Sequence, residues 1–100
     1  DLGCVVVLKG AATVTAETGG EVWINPTSNP GMASGGMGDV LTGIIAALIA
    51  GGADTMSAAV AGVYLHGLAG DLAAETLGPR GFLALDVADC LPAVYKRLWE

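Results

Sequence analysis

Charge is what this sequence has least of. Charged side chains make up only 14% of its 100 residues, against about 25% in an ordinary domain. Four of them are basic, Lys9, Arg80, Lys96 and Arg97, and the net charge is −6. They form no cluster, so the cationic footprint that neutralises a nucleic-acid backbone is missing. An acidic chain is equally poorly suited to anionic membrane surfaces. Cysteine is scarce too: Cys4 and Cys90 are far apart and in no CxxC pair, which reads as two buried reduced thiols rather than a disulfide frame or a metal knuckle. The longest apolar stretch, Val40 to Ala50, falls well short of the ~20 residues that span a bilayer. Nothing resembles a signal peptide, and the expected setting is a reducing cytoplasm. HExxH and Ser/His/Asp nucleophile signatures are absent.

Hydrophobic residues are abundant, at 53%. That excess suits a piece of a larger body, or a subunit with extensive interfaces such as a homo-oligomer. The run Cys4 to Leu8 begins almost at once, so the chain is expected to start inside a domain.

The order of elements reads as α/β. Cys4-Val-Val-Val-Leu8 is a β-branched run of the kind buried on both faces in a parallel sheet. Thr13 to Ala16 and Glu21 to Ile24 are two further strands, expected to form a hairpin across Thr18-Gly19-Gly20. Asn25 to Gly38 is a loop, with two prolines and four glycines. A buried helix is expected from about Asp39 to Ala50, stopped by Gly51-Gly52. A second follows from Thr55 to Thr76, capped by Ser57 or Thr55 and ended by Gly78-Pro79. Phe82 to Leu85 is ambiguous. A last helix runs from Asp86 to Leu98, capped by Asp86, with Pro92 inside it and Lys96 and Arg97 at its negative end.

The chemistry is concentrated where the loop meets the first helix. Gly35, Gly36 and Gly38 allow the backbone to turn sharply and approach a ligand closely. The first N–H groups of a helix lack internal partners, and the helix dipole favours an anion beyond them. Gly36, Met37, Gly38 and Asp39 can therefore make an anion hole for a phosphoryl group, whose non-bridging oxygens such donors stabilise. Asp39 has two readings on local features alone. It is a helix-start carboxylate that suits the dipole, or a base that faces an acceptor hydroxyl and takes its proton. Two better-known loops are excluded: position 41 is Leu, against GxGxxG, and no Lys follows the glycines, against GxxxxGK[ST].

Other residues carry weaker signals. Lys9 ends a strand, either solvated there or close to the ligand of the anion hole. Thr42, one turn into the helix, back-bonds to the loop. His66, the single histidine, lies on an apolar helix and suits an interior position better than a ligand contact. Trp23, Tyr64 and Trp99 suit packing or an interface. Asp71 and Glu75, at i and i+4, suit a solvated face.

The segment NPGMASGGMGDVLTGIIAALIAGG, Asn29 to Gly52, closely resembles the signature of the ADP/ATP-dependent NAD(P)H-hydrate dehydratases, carbohydrate-kinase-like members of the ribokinase superfamily. VVLKGAATVTA (Val6 to Ala16) and VYLHGLAGDLAAE (Val63 to Glu75) are similar to further segments of that family, so the resemblance covers nearly the whole chain. It implies that residues 1–100 are the C-terminal part of one ribokinase-like three-layer α/β/α domain, whose N-terminal part is absent from this chain. The implied reaction is repair of hydrated NADH and NADPH: ADP or ATP phosphorylates the added hydroxyl, phosphate leaves, and the double bond returns.

By motif, Lys9, Gly10, Ala11, Ala12 and Thr13 would contact the nucleotide. Asn29, Pro30, Gly31, Met32, Ala33, Ser34, Gly35, Gly36, Met37 and Gly38 would wrap its adenosine and phosphates. Asp39 would meet the hydrate and act as base. Mg2+ is expected to bridge the phosphates, with no ligand set evident for it in this sequence. The sequence departs from many superfamily relatives in carrying Met37 where they have a small residue. It is also much shorter than a ribokinase-like domain, and these 100 residues alone are expected to lack activity. Two other readings stay open: a kinase of a small alcohol or vitamin precursor within the superfamily, and a non-catalytic nucleotide-binding or assembly fragment.

Overall fold

The computed structural model describes residues 4–9, 13–17, 19–27, 29–32 and 35–98. Three short strands, β1 (Val5–Leu8), β2 (Val14–Glu17) and β3 (Val22–Ile24), are followed by a 3-10 turn at Pro30–Met32. Three helices complete the chain: α1 (Met37–Ala50), α2 (Thr55–Leu77) and α3 (Ala84–Leu98).

The strands form an antiparallel meander in the order β1-β2-β3. The expected hairpin joins β2 to β3 with Val14 opposite Ile24 and Ala16 opposite Val22. Gly19 takes the left-handed conformation its turn demands, at φ +68°, and the Gly20 N–H closes on Glu17 O at 3.1 Å. The reading of β1 as a strand of a parallel sheet buried on both faces is corrected. Among the described residues it pairs only with β2, antiparallel, from Val5 opposite Glu17 to Leu8 opposite Val14.

Its burial alternates instead of being continuous. Val7, Thr15 and Trp23 are cross-strand partners and so share a face. That face looks toward α2, and Thr15 is only 2% exposed on it. The other face carries Val6, Leu8, Val22 and Ile24, which are 41–68% exposed. No described element covers them, which is why a wholly apolar strand reads half-open.

α1 is amphipathic rather than wholly buried, a second correction. Met37, Leu41 and Ile44 form its buried stripe at the i, i+4, i+7 spacing of one helix face, and Ile49 is exposed. Gly51 and Gly52 end it as expected, donating to Ala47 O and Ile49 O at 3.0 Å each.

α2 is central. Its buried positions are mostly small: Ala58, Ala59, Gly62, Gly67, Ala69, Gly70 and Ala73. They let neighbouring backbone approach closely, and the Cβ of a residue at 62 would lie 2.6 Å from Ile45 Cγ1 of α1. Its cap is Asp54, not Ser57 or Thr55. Asp54 has the extended conformation of a cap and its carboxylate accepts the Ser57 N–H at 2.9 Å, satisfying one of the free amides of the first turn.

α3 begins two residues before Asp86. Asp86 reaches back and accepts the Leu83 N–H at 2.7 Å, so it serves the residue before the helix from within the first turn. Pro92 lies inside, and the helix continues to Leu98. Met37, Ile44, Leu65, Ala69, Ala73, Phe82, Val87 and Val94 unite the three helices in one core. The sheet is met chiefly by α2, and α1 and α3 pack against α2 and each other. Cys90 is half-buried and Cys4 exposed, which corrects the reading of two buried thiols.

Candidate functional site

Gly35 and Gly36 turn the chain into α1. Gly36 precedes the helix in the left-handed region, φ +88° and ψ −10°, and among the described residues no side chain caps the start. The first helical bond recorded at this end runs from Val40 N–H to Gly36 O, at 3.1 Å. The N–H groups of Met37, Gly38 and Asp39 therefore belong to the first turn, where no helical carbonyl is available. Met37 is 3% exposed and packed in the core, which pins the helix start. The Thr42 hydroxyl donates to Gly38 O at 2.9 Å, as its position one turn in suggests.

Lys9 arrives from the end of β1. Its Nζ stands 3.5 Å from the point that a Gly38 side-chain carbon would occupy. An ammonium and a helix N-terminus thus share one spot, and both favour an anion there. Asp39 is exposed in that first turn. The two segments singled out in the sequence, around Lys9 and around Gly36 to Asp39, are brought together by the fold. Thr13 is half-buried, and its carbonyl accepts the Asn25 N–H at 2.9 Å. Gly10, Ala11, Ala12, Ala33 and Ser34, named with them, lie outside the described residues, as does Trp99.

The loop before α1 is strapped to α2. Asn29 Nδ2 donates to Asp71 Oδ1 at 2.8 Å, while Asn29 Oδ1 accepts the Gly31 N–H at 3.0 Å. Its carbonyl takes the Met32 N–H at 3.1 Å, forming the 3-10 turn at Pro30–Met32. Gly31 is packed so closely that a Cβ would fall 2.5 Å from Phe82 Cε2 and from Pro79 O. Further back, the Thr27 hydroxyl donates to Tyr64 O at 3.2 Å. A Cβ at Gly67 would overlap Thr27 Oγ1, and one at Gly70 would overlap Met32 Sδ.

Gly67, Gly70 and Asp71 were missed in the sequence as loop-holding residues, although the small-residue spacing of HGLAGD is a usable signal for close approach. Asp71 is corrected. It is half-buried and bonded to Asn29 rather than part of a solvated face, while Glu75 is exposed as expected.

His66 is 7% exposed and its Nε2 is buried, with no hydrogen-bond partner among the described residues. Burial, and secondarily the positive charge of Lys9, hold its pKa down to about 4. It is therefore a neutral imidazole at ordinary pH.

A groove of about 580 Å³ opens between β3 and the first half of α2, lined by Trp23, Ile24, Pro26, Val60 and Tyr64 among others. It includes neither Lys9 nor any residue from 29 to 39, so it is separate from the anion site. Its polar groups are largely spent within the chain: Trp23 on Glu21, Asn25 on Thr27, and Ser57 on Asp54. Among the described residues no three His, Cys, Asp or Glu side chains converge as metal ligands, and none of the helices is long and apolar enough to cross a membrane.

Comparison with known proteins adds independent findings. The sequence model described as NAD(P)H-hydrate dehydratase, of the carbohydrate kinase type, matches residues 1–93. The bifunctional NAD(P)H-hydrate repair enzyme Nnr of Moorella thermoacetica is 55% identical over 96% of this chain, which spans 18% of that relative. The ADP-dependent (S)-NAD(P)H-hydrate dehydratase of Bacillus subtilis is 42% identical over 96% of this chain and 35% of its own length. The crystal structure of the B. subtilis ADP/ATP-dependent NAD(P)H-hydrate dehydratase, co-crystallised with ATP/Mg2+, superposes with a TM-score of 0.87, covering 93% of this chain and 34% of that one. The chain thus spans about a fifth to a third of the relatives it matches.

Proposed function

Because the chain belongs to the NAD(P)H-hydrate dehydratase family, whose sequence model matches residues 1–93, we propose that the protein dehydrates hydrated NADH and NADPH at the expense of ADP or ATP. One observation carries the reading beyond resemblance. The Lys9 ammonium lies close to Gly38 at the start of α1, where no described side chain caps the helix; this favours an anion such as a phosphoryl group, with an exposed carboxylate, Asp39, in the same turn.

In the reaction the hydroxyl oxygen of the hydrate attacks the terminal phosphorus of the nucleotide, and the bond from that phosphorus to the bridging oxygen breaks. Asp39 takes the hydroxyl proton. The amides of Met37 and Gly38, with Lys9, hold the charge on the non-bridging oxygens. Phosphate then leaves with the electron pair of the C–O bond. The ring-nitrogen lone pair assists, and loss of a proton from the adjacent carbon restores the double bond, a chemistry supplied by the nicotinamide itself.

Residues Lys9 to Thr13 and Asn29 to Gly38 are assigned to the nucleotide. The described residues do not fit a dedicated Mg2+ cage. Mg2+ would then arrive with the nucleotide, where it would neutralise phosphate charge. The chain is assigned to the C-terminal part of a ribokinase-like domain, acting in the cytoplasm as a homo-oligomer. The uncovered apolar residues of the sheet, Val6, Leu8, Val22 and Ile24, suit further burial of that kind.

The test uses the full-length protein. It regenerates the absorbance of reduced nicotinamide from the hydrate only when ADP or ATP is present, and Asp39→Asn abolishes turnover while nucleotide still binds. Turnover without nucleotide would overturn the mechanism. Accumulation of a phosphorylated product without elimination would instead assign the protein to the small-alcohol kinases.

A further inference from the structure

We propose that Asp71 is a positioning residue for nucleotide use, acting through Asn29 rather than on the nucleotide; the inference rests on the function proposed above. The Asn29 side chain is engaged at both ends. Its amide donates to Asp71 on α2 at 2.8 Å, and its carbonyl accepts the Gly31 N–H at 3.0 Å. One side chain thus couples the middle of α2 to the backbone of the loop that leads into α1.

The neighbouring contacts lie on the same side of α2. Gly67 meets Thr27 and Gly70 meets Met32, and positions 67, 70 and 71 are i, i+3 and i+4 on one helix face. Thr27, Asn29 and Met32 all meet that face, at positions 67, 71 and 70 respectively. The two glycines let the loop approach without fixing where along α2 it rests, because their contacts are non-directional. The Asn29 to Asp71 bond is directional, as is the Thr27 to Tyr64 O bond at 3.2 Å further back, and it is the one nearer to α1 in the chain.

From Met32 only four residues separate the strapped segment from the start of α1 at Met37, and α1 itself is held from the core by Met37, Leu41 and Ile44. A loop released at Asn29 would lose its alignment with amides that stay in place. What Asp71 contributes to Asn29 is an acceptor oxygen of the right reach. Asparagine supplies the same oxygen, whereas alanine and serine do not reach.

Calorimetric titration of the full-length protein with ADP and ATP, alongside steady-state kinetics and thermal melting, tests this. Asp71→Ala should raise the Kd and KM for the nucleotide about tenfold, the usual scale for losing one charge-assisted hydrogen bond. The KM for the hydrate should stay within about twofold of the parent. Asp71→Asn should restore nucleotide affinity to within about threefold, a rescue that a role through charge or bulk stability would not give. If Asp71→Ala does not fold, Asp71→Ser carries the same expectation. Nucleotide affinity unchanged in these variants, or equally weak in Asp71→Asn and Asp71→Ala, would overturn the inference and leave the proposed reaction standing. A parent protein that binds neither ADP nor ATP would overturn both.

Discussion

Gly43→Ala and Gly67→Ala add the same methyl group to two helices and should move stability in opposite directions. Gly43 is exposed within α1, and a Cβ there meets nothing within 4 Å. The substitution should therefore gain the helix preference of alanine over glycine, about 1 kcal/mol. Gly67 is buried in α2, where the new carbon would overlap Thr27 Oγ1 and lie 2.6 Å from Thr27 Cβ and 3.0 Å from its carbonyl carbon. Those last two atoms are anchored to the backbone, so no side-chain rotation relieves the overlap.

The Thr27 hydroxyl is also committed to Tyr64 O, at 3.2 Å, and to the Asn25 side chain. Overpacking of this kind costs about 1–3 kcal/mol, and loosening the two hydrogen bonds adds about 1 kcal/mol each at most. Against the same gain of about 1 kcal/mol in helix preference, the middle of those ranges leaves a net loss of about 2 kcal/mol. Urea denaturation of the full-length protein reads this directly, with a fall in midpoint of roughly 1 M for Gly67→Ala and no change in slope. In a Thr27→Gly background the penalty of Gly67→Ala should shrink, because the overlapping atoms are gone. A Gly67→Ala protein as stable as the parent, or a penalty unaltered by Thr27→Gly, would refute the claim that the loop rests directly on α2.

Two further outcomes follow from the same geometry. Gly36 holds φ at +88°, with Ala84 Cβ 3.2 Å from where its own Cβ would be; Gly36→Ala should cost about 1–2 kcal/mol in denaturant unfolding and weaken nucleotide binding in titration, and an unchanged midpoint would show the left-handed turn to be dispensable. His66 is held down to about 4 against an ordinary 6.5, so between those values the unfolded chain binds the extra proton. Stability attributable to this group is then complete above pH 6.5 and is lost as pH falls toward 4, a difference on the order of 3 kcal/mol. Stability measured across that window should show the loss in the parent and a flatter profile in His66→Gln; equal slopes would remove His66 as the cause.

Much of the candidate site was legible because its physics is local. A glycine-rich segment leading into an apolar helix places free amides and a dipole at one point whatever the rest of the fold does, and Asp39 follows from its position in the first turn. The element order was readable for the same reason, from β-branched runs, paired glycines and helical spacing. Ends were read less well. Asp54 and Asp86 each act on a backbone N–H three residues away, one forward and one backward, and a sequence full of Ser, Thr and Asp near helix starts offers several equivalent partners for each.

Association across the chain was not legible. A run such as Val5 to Leu8 has the composition of a strand covered on both sides, but which neighbours it pairs with is fixed by register and topology. Asp71, four residues before Glu75, has the pattern of a wet helix face, and only the approach of a loop some forty residues upstream turns it into the partner of Asn29. Lys9 likewise has no sequence feature that says it reaches Gly38. Short-range preferences of backbone and side chain write themselves into composition and spacing, and these determined the class of fold and the glycine turn into α1. Contacts between distant segments depend on how whole elements pack, and tertiary structure alone decided that a lysine would stand over that turn and an aspartate would hold its loop.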